Sequence, residues 1–363
     1  MVLTQLQLQN FRNYLKKEFT FSDRTTLVVG PNASGKTNLL EAIYLLATGK
    51  SFRAELESEM IKYSEPISNV KCSAFAGASA DRQMSLEIIL TTGEVLGNRV
   101  AKKICKINEV NKRLGDFIGN LRAVYFGPED LEIVTNSPSQ RRKYLDMVLS
   151  QVDREYARIS LSYEKGLRAR NKVLEAIRET GAPRSQLYFW DQLLIKNGQL
   201  ITQKREEFVN SVNSYQSSAI SSGLGDFQIE YDKSVISVAR LEQYKEEEVA
   251  AGATLVGPHR DDFKLKIKNE KLKMDRDLSA YGSRGEQRLA ILWLKLCELA
   301  FIKEETTELP VLLLDDIFSE LDEKHREMVW GLVGNQQTII TTADVKQIES
   351  GWRKKSNLIE LNK

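Results

Sequence analysis

Three short segments, widely separated in the chain, hold residue types whose spacing can grip a chain of phosphates and the metal ion that accompanies it. Gly30-Pro31-Asn32-Ala33-Ser34-Gly35-Lys36-Thr37 fits the P-loop pattern G-x-x-x-x-G-K-[ST]. The apolar run Leu27-Val28-Val29 precedes it and Asn38-Leu39-Leu40-Glu41-Ala42-Ile43 follows, which predicts the strand, loop and helix that the motif needs. Glycines let the backbone wrap closely around an anion, and the amides at the start of the helix face it. Lys36 then supplies a mobile charge to the outer phosphates, and the Thr37 hydroxyl a ligand for Mg²⁺.

The second segment, Val311-Leu312-Leu313-Leu314-Asp315-Asp316, reads as a strand covered on both faces that ends in two carboxylates. Charges at that end lie where α/β sheets bind ligands. Asp315 is the candidate metal-side carboxylate, and Asp316 the candidate for orienting or deprotonating an attacking water, with Glu320 as the alternative in Ser319-Glu320-Leu321-Asp322. The third segment is Tyr281-Gly282-Ser283-Arg284-Gly285-Glu286-Gln287-Arg288, ahead of a long apolar helix from Leu289. Ser283 and Gly285 there make either a second phosphate-seeking helix N-terminus or an ordinary turn and N-cap.

Ser283-x-Gly285-x-Gln287 is similar to the signature motif of ABC-type ATPases, in which the signature of one subunit caps ATP held by the P-loop of another. Transporter ATPase domains that resemble this pattern place the two motifs much closer together than Thr37 and Ser283 are here. An inserted helical arm explains the surplus, and the chain resembles the RecF family of DNA-repair ATPases nearly end to end. The resemblance is carried further by Asn10-Phe11-Arg12-Asn13-Tyr14, Lys50-Ser51-Phe52-Arg53 and Phe126-Gly127-Pro128-Glu129-Asp130-Leu131. Ser137-Pro138-Ser139-Gln140-Arg141-Arg142-Lys143-Tyr144-Leu145-Asp146 and Gly257-Pro258-His259-Arg260-Asp261-Asp262 carry it too, the last being the most specific mark.

The resemblance implies an α/β fold, an ABC-type ATPase head with P-loop, carrying an inserted antiparallel helical arm. It implies ATP and Mg²⁺ as ligands, an ATP-dependent homodimer with two composite sites, and weak DNA-stimulated ATP hydrolysis for release. It also implies single- and double-stranded DNA, gapped or at junctions, as a partner, together with RecR and, indirectly, RecO and RecA. Arg12 is implied to approach the nucleotide phosphates; Arg53 has a similar standing, with a DNA contact as the alternative. Transporter-type enzymes carry a switch histidine after the strand that follows the aspartate pair, but Thr338-Ile339-Ile340-Thr341-Thr342-Ala343-Asp344 ends without one. Thr342 or Asp344 is the candidate γ-phosphate sensor in its place, and the shorter Asp316, where Glu is usual, points to slow hydrolysis.

Composition bounds the chain without naming its task. At 42% hydrophobic and 28% charged, its 363 residues can bury a large core. No apolar run reaches membrane-spanning length, the N-terminus lacks the pattern of a signal peptide, and three cysteines at no metal-like spacing read as reduced thiols, so a cytoplasmic location is expected. A net charge of +2 hides local excess: between Ser137 and Arg184 there are eleven basic residues, Arg141 and Arg142 among them, against six acidic. Lys264, Lys266, Lys268, Lys271, Lys273 and Arg276 form another basic cluster, and the alternation of Phe263, Leu265 and Ile267 with lysines predicts a strand with one lysine face. Such a face is either solvated surface or a site for DNA phosphates.

The expected division is a discontinuous head, residues 1–136 and 251–363, around an arm of 137–250. A capping box at Ser137 with Pro138 at the first helical position, followed by apolar residues from Leu145 to Leu167, predicts one helix that runs to Thr180-Gly181-Ala182-Pro183. A second, with Trp190, Leu194, Ile201, Phe208, Val212 and Tyr215 on one face, completes the arm. The head's sheet must then be assembled from both ends of the sequence. A transporter ATPase subunit and a non-catalytic ATP-sensing module remain as rival readings. All three readings place Lys36 on ligand, so Lys36→Ala should abolish ATP binding, measured by titration with a fluorescent analogue, at an unchanged circular dichroism spectrum. Unchanged affinity in that variant would overturn the P-loop assignment.

Overall fold

Five strands pair in parallel, and the order in which they pair decides where the candidate phosphate-binding residues end up. The computed structural model describes residues 2–75, 83–215, 224–268, 275–319, 322–344, 348 and 350–362. Two units emerge, Met1–Asp130 with Ile302–Lys363, and Leu131–Phe301.

In the first unit the parallel sheet has the order Ala123–Phe126, Val311–Asp315, Thr338–Thr342, β3 (Thr25–Val29) and Asn357–Glu360. Its strands come from both ends of the sequence, as expected. Leu312 to Leu314, Ile339, Ile340, Leu27 and Val28 are all buried, as strands covered on both faces require. The register sets Asp315 opposite Thr341 and Thr342 opposite Val29, so the P-loop and the aspartate pair leave the sheet from one carboxyl edge.

A second sheet of six antiparallel strands includes β1 (Val2–Phe11), β2 (Tyr14–Thr20), β4 (Ile67–Phe75) and β5 (Gln83–Thr91). Helix α1 (Lys36–Thr48) touches strands of both sheets, and Leu39, Leu40 and the run from Ala42 to Ala47 are almost completely buried. A helix apolar on all sides belongs inside, and here it forms the core between the layers. Gln337 ties the sheets together: its side chain accepts from the Leu3 amide (2.8 Å) and donates to the Leu3 and Ser22 carbonyls.

The second unit contains helices Pro138–Val152, Arg154–Thr180 and Tyr188–Ser214, beside a three-stranded antiparallel sheet of Phe227–Asp232, Asp262–Ile267 and Arg276–Asp277. Two expectations are corrected. The single helix from Ser137 to Thr180 is broken at Asp153, whose carboxylate caps the next helix by accepting from the Tyr156 amide (3.0 Å). Ser137 forms no capping box, because its hydroxyl is engaged with that of Ser139 at 2.6 Å. The two compact units divide at 130/131 and 301/302, and within the second the strand before residue 250 pairs with the one after it. Of the expected arm stripe, Leu194, Ile201, Phe208, Val212 and Tyr215 are buried, whereas Trp190 is only half-buried.

The Gly257–Asp262 block turns out to be the knot of this unit. Arg205, buried in the Tyr188–Ser214 helix, donates to Asp261 (2.8 Å), to the Pro258 carbonyl (2.7 Å) and to Asp146 (2.8 Å). Asp261 also accepts from Tyr231 and from the Ser234 amide (2.7 Å), while Asp262 takes Arg141 bidentately. His259 bridges Tyr163 (2.9 Å) and the Thr254 carbonyl (3.0 Å). Burial above all, with Arg260, Arg142 and Arg170 adding repulsion, lowers its pKa from 6.5 to about 4.

A histidine held neutral in this way contributes stability that is complete above about pH 6.5, where the unfolded chain is also neutral. It is lost as the pH falls toward 4, because the unfolded chain then gains protons first. Urea unfolding should therefore weaken by about 2 kcal/mol between pH 7 and pH 4.5 through this residue. His259→Gln should flatten that part of the acid dependence; an unchanged slope would exclude His259 as its source.

Candidate nucleotide-binding site

The P-loop starts where β3 ends, with the Gly30 amide donating to the Thr342 carbonyl at 3.3 Å. Ala33 (φ 67°) and Gly35 (φ 105°) both adopt left-handed conformations, the kind of turn that gathers backbone amides into an anion-binding hollow. Gly35 is required: a Cβ there would stand 2.7 Å from the Tyr14 phenol oxygen, which donates to the Gly35 carbonyl at 3.0 Å. Pro31, Asn32 and Ala33 are exposed, and Thr37 is half-buried in the first turn of α1. The Lys36 ammonium rests on the carbonyls of Gly30 (2.7 Å) and Pro31 (3.0 Å). Among the described residues the buried Ser34 Oγ finds no hydrogen-bond partner. A buried hydroxyl with nothing to bond is costly, and one beside a lysine and a helix start fits a phosphate oxygen.

Asp315 ends its strand 3% exposed. Thr341 donates to its Oδ1 at 2.5 Å, and the Tyr125 phenol lies 3.2 Å from its Oδ2 and 2.5 Å from Glu129. Burial, then the charges of Asp315 and Glu129, push the Tyr125 pKa far up, so the phenol keeps its proton. Burial and the same acidic neighbourhood raise the Glu129 pKa as well, against the Tyr125 bond that opposes it. Phe52 stacks on the Tyr125 ring at 3.8 Å and holds it in place. Asp316 is half-buried with φ 51°, a conformation Asp tolerates better than most residues, and its amide donates to the Thr341 carbonyl at 3.2 Å. The Thr37 hydroxyl and the Asp315 carboxylate are hard oxygen donors of the kind Mg²⁺ takes.

Arg12 and Arg53 are both drawn onto Glu41, a fully buried carboxylate of α1. Burial alone would raise the Glu41 pKa, but hydrogen bonds from Arg12, Arg53 and Ser51 overcome it and hold the carboxyl below its ordinary range. The two arginines line a cleft of about 770 Å³ together with Asn13, Asn38, Lys62 and Tyr63. Thr342 caps the local chain through Asp344 (3.1 and 3.2 Å), and it is Thr341 that reaches Asp315.

Ser283 and Gly285 lie in the second unit, both exposed. Ser283 and Glu286 form a reciprocal capping box: the Ser283 amide donates to Glu286 (2.8 Å), and the Glu286 amide donates to Ser283 Oγ (3.3 Å). The Ser283 hydroxyl also hydrogen-bonds the Glu286 side chain, which with the Ser283 amide holds that carboxyl below its ordinary range. Space beside Gly285 is open.

The basic residues singled out for DNA differ in availability. Arg141 is bound bidentately to Asp262 and to the Asn136 carbonyl (2.7 Å), and Arg142 donates to the Asp261 carbonyl (2.8 Å), so both serve the knot of the second unit. Lys264 and Lys266 lie on the Asp262–Ile267 strand, Lys264 56% exposed and 3.6 Å from Asp277, Lys266 paired with Glu230. Lys271, Lys273 and Glu320 lie outside the described residues. His325 is engaged with Asp322, the cap of its own helix. The residues that sequence reasoning missed are Glu41, Tyr125, Glu129 and Thr341. Glu41 alone carried a signal, an acid in an otherwise apolar helical run.

No helix among the described residues is long and apolar enough to cross a membrane. Residues 2–361 match the family model described as RecF/RecN/SMC N terminal domain. The chain is 36% identical to the DNA replication and repair protein RecF of Herpetosiphon aurantiacus, over 95% of this chain and 94% of that one. To the protein of the same name from Bacillus thuringiensis it is 34% identical, over 99% and 97%. Among solved structures it is similar to the recombination mediator protein RecF with ATP, in the RecFOR pathway, with a TM-score of 0.83 and 33% identity over 96% of this chain and 93% of that one. A second RecF structure, described as RecF-ATPrS, gives a TM-score of 0.81 at the same identity, over 96% and 94%. With a likeness that runs the length of the chain and takes in both its ATPase-like sheet and its helical unit, the chain belongs to the RecF family.

Proposed function

We propose that this chain is an ATP-driven recombination mediator that closes as a dimer on gapped or junction DNA, cleaves ATP slowly to let go, and assists loading of RecA with RecR and RecO. The observation that carries the reading is the loop before α1, where Lys36 rests on the Gly30 and Pro31 carbonyls and the buried Ser34 hydroxyl has no partner among the described residues, in a chain that also exposes Ser283 and Gly285 at the start of a second helix. One chain thus has two phosphate-seeking ends, and a two-fold pair would let each complete the other's site.

The chain's own groups divide the work. Lys36 exchanges the carbonyls of Gly30 and Pro31 for phosphate oxygens, and Ser34 gains the partner it lacks. Thr37 and Asp315 would hold Mg²⁺, which when bound neutralises phosphate charge. Thr341 and Tyr125 fix the direction of the Asp315 carboxylate. Asp316 accepts or orients the proton of the attacking water, and Ser283 with the backbone at Gly285 caps the partner's phosphates. Hydrolysis removes the contact that joins the subunits, so the dimer releases its DNA.

For the DNA surface the reading favours Lys264 and Lys266. Exposed lysine pairs contribute little and exchange readily for phosphate, whereas Arg141 would have to abandon a part-buried bidentate bond. Lys264→Glu with Lys266→Glu should weaken duplex binding and flatten its salt dependence, while reversal at Arg141 and Arg142 should lower the melting temperature. DNA binding that survives the lysine reversal with its salt slope intact would remove that strand from consideration.

Hydrolysis has its own tests. Asp316→Asn should bind ATP normally, slow single-turnover cleavage by about a hundredfold or more, and accumulate dimers by light scattering. Ser283→Arg should bind ATP yet neither dimerise nor turn over, and mixing it with Lys36→Ala chains should restore part of the activity through the one composite site free of both lesions. Normal dimerisation and turnover by Ser283→Arg would reduce the segment to a helix cap. Hydrolysis indifferent to DNA would favour a transporter-like ATPase subunit instead.

A further inference from the structure

One member of the basic cluster that follows the Gly257–Asp262 block is turned onto the start of the helix Arg284–Thr306. Arg276, on the short strand Arg276–Asp277, gives Nη2 to Glu286 Oε1, and the same carboxylate accepts from the Ser283 amide through Oε2 (2.8 Å). Glu286 thus lies between Arg276 and the turn that exposes Ser283 and Gly285. That turn has braces of its own. Gln287 Nε2 and the Gly282 amide both donate to the Leu278 carbonyl, at 2.9 and 3.1 Å, and Asp277 caps the helix Leu278–Tyr281 by accepting from the Ser279 amide (2.8 Å). The shape of the turn therefore does not hang on Arg276.

A carboxylate is an awkward neighbour for a hydroxyl that is to meet phosphate. The Ser283 amide above all, then its hydroxyl and Arg276, hold Glu286 below its ordinary range against partial burial, so it is charged at neutral pH. A phosphate oxygen on Ser283 Oγ would stand next to that charge, and like charges so close repel. Arg284 and Arg288 lie two residues from Glu286 on either side, a spacing at which helical side chains do not face one another. Among the described residues Arg276 is the one cation paired with Glu286, the two side chains being 38% and 29% exposed.

We infer that Arg276 is a positioning residue for the proposed phosphate cap: it holds and neutralises the Glu286 carboxylate, so that Ser283 and the helix start can receive the phosphates of ATP carried by a second copy of this chain. The inference rests on the dimer reading above and adds to it a residue outside the three motifs. Arg276 touches no phosphate itself; it acts through Glu286, and its effect is felt in the partner's site. Removing the arginine leaves an uncompensated negative charge at that interface, whereas removing both charges leaves none.

Dimerisation of the full chain by Mg²⁺-ATP without DNA, followed by light scattering, tests the assignment. Arg276→Ala should bind mant-ATP as the parent chain does and keep its melting temperature, because a part-exposed ion pair contributes little, yet need about tenfold more protein to dimerise. Arg276→Ala with Glu286→Gln should dimerise as the parent chain does, since glutamine keeps an oxygen for the Ser283 amide and removes the charge. Arg276→Lys, which retains the cation, should lose little. Mixed with Lys36→Ala chains, Arg276→Ala should recover part of the ATPase, as a lesion felt in the partner's site must. Normal dimerisation by Arg276→Ala, a double variant as weak as Arg276→Ala alone, or a loss of mant-ATP binding in the monomer would each overturn the inference. Ser283→Arg is the control: if it dimerises normally, the dimer reading itself falls, whereas a defective Ser283→Arg chain beside a normal Arg276→Ala chain sinks only the role of the arginine.

Discussion

Parallel pairing of β3 with Thr338–Thr342, and of that strand with Val311–Asp315, is the constraint on which the candidate site depends. It sets Val29, Thr342, Thr341 and Asp315 in adjacent registers at one edge of a sheet, although β3 comes far earlier in the sequence than its partners. The loop-closure entropy of joining such distant segments is high only in its first increments, since it grows with the logarithm of length. Burial of unbroken leucine, isoleucine and valine runs on both faces supplies the opposing term. Lys36, Thr37 and Asp315 then need no mutual contact to stand at one carboxyl edge; the sheet delivers them there.

The second unit solves a different problem. Its helices and its small sheet are joined through a buried arginine that answers to two aspartates and a backbone carbonyl. Removing either side of such a network leaves an unpaired charge in the interior, which is far costlier than the network is stabilising. The block Gly257–Asp262 is thus structural in this chain, with Asp261 fully enclosed and His259 held neutral between Tyr163 and Thr254.

Much of this was legible in the residues. The glycine pattern with its strand and helix context pointed to the loop between β3 and α1, and an apolar run ending in two aspartates pointed to the carboxyl edge of the same sheet, because both signals are local. Local signals also misled: the apolar period through Val148, Val152 and Tyr156 runs straight across Asp153, so periodicity hides a break that the Asp side chain makes by capping. Ser137 offered every mark of a capping box and spends its hydroxyl on Ser139 instead. Tertiary pairings were beyond reach. Nothing in Arg12 or Arg53 tells that they share Glu41, or in Arg141 that Asp262 holds it, since each pair joins segments with no common period. Charge clusters read from sequence count residues, whereas availability depends on which charges the fold has already neutralised.

The place of β3 in its sheet has a bearing on how the protein is made. Both of its neighbours, Thr338–Thr342 and Asn357–Glu360, are translated after the whole of the second unit, and the Leu361 amide that closes on the Val29 carbonyl comes later still. While the ribosome works through residues 131–301, the second unit can complete its own strands and buried ion pairs, but β3 stands with both edges open and α1 lacks part of its covering layer. An apolar strand with two free edges is a template for wrong pairing. Synthesis therefore leaves β3 unpaired for longer than any other strand of its sheet, an interval in which open strand edges invite misassembly.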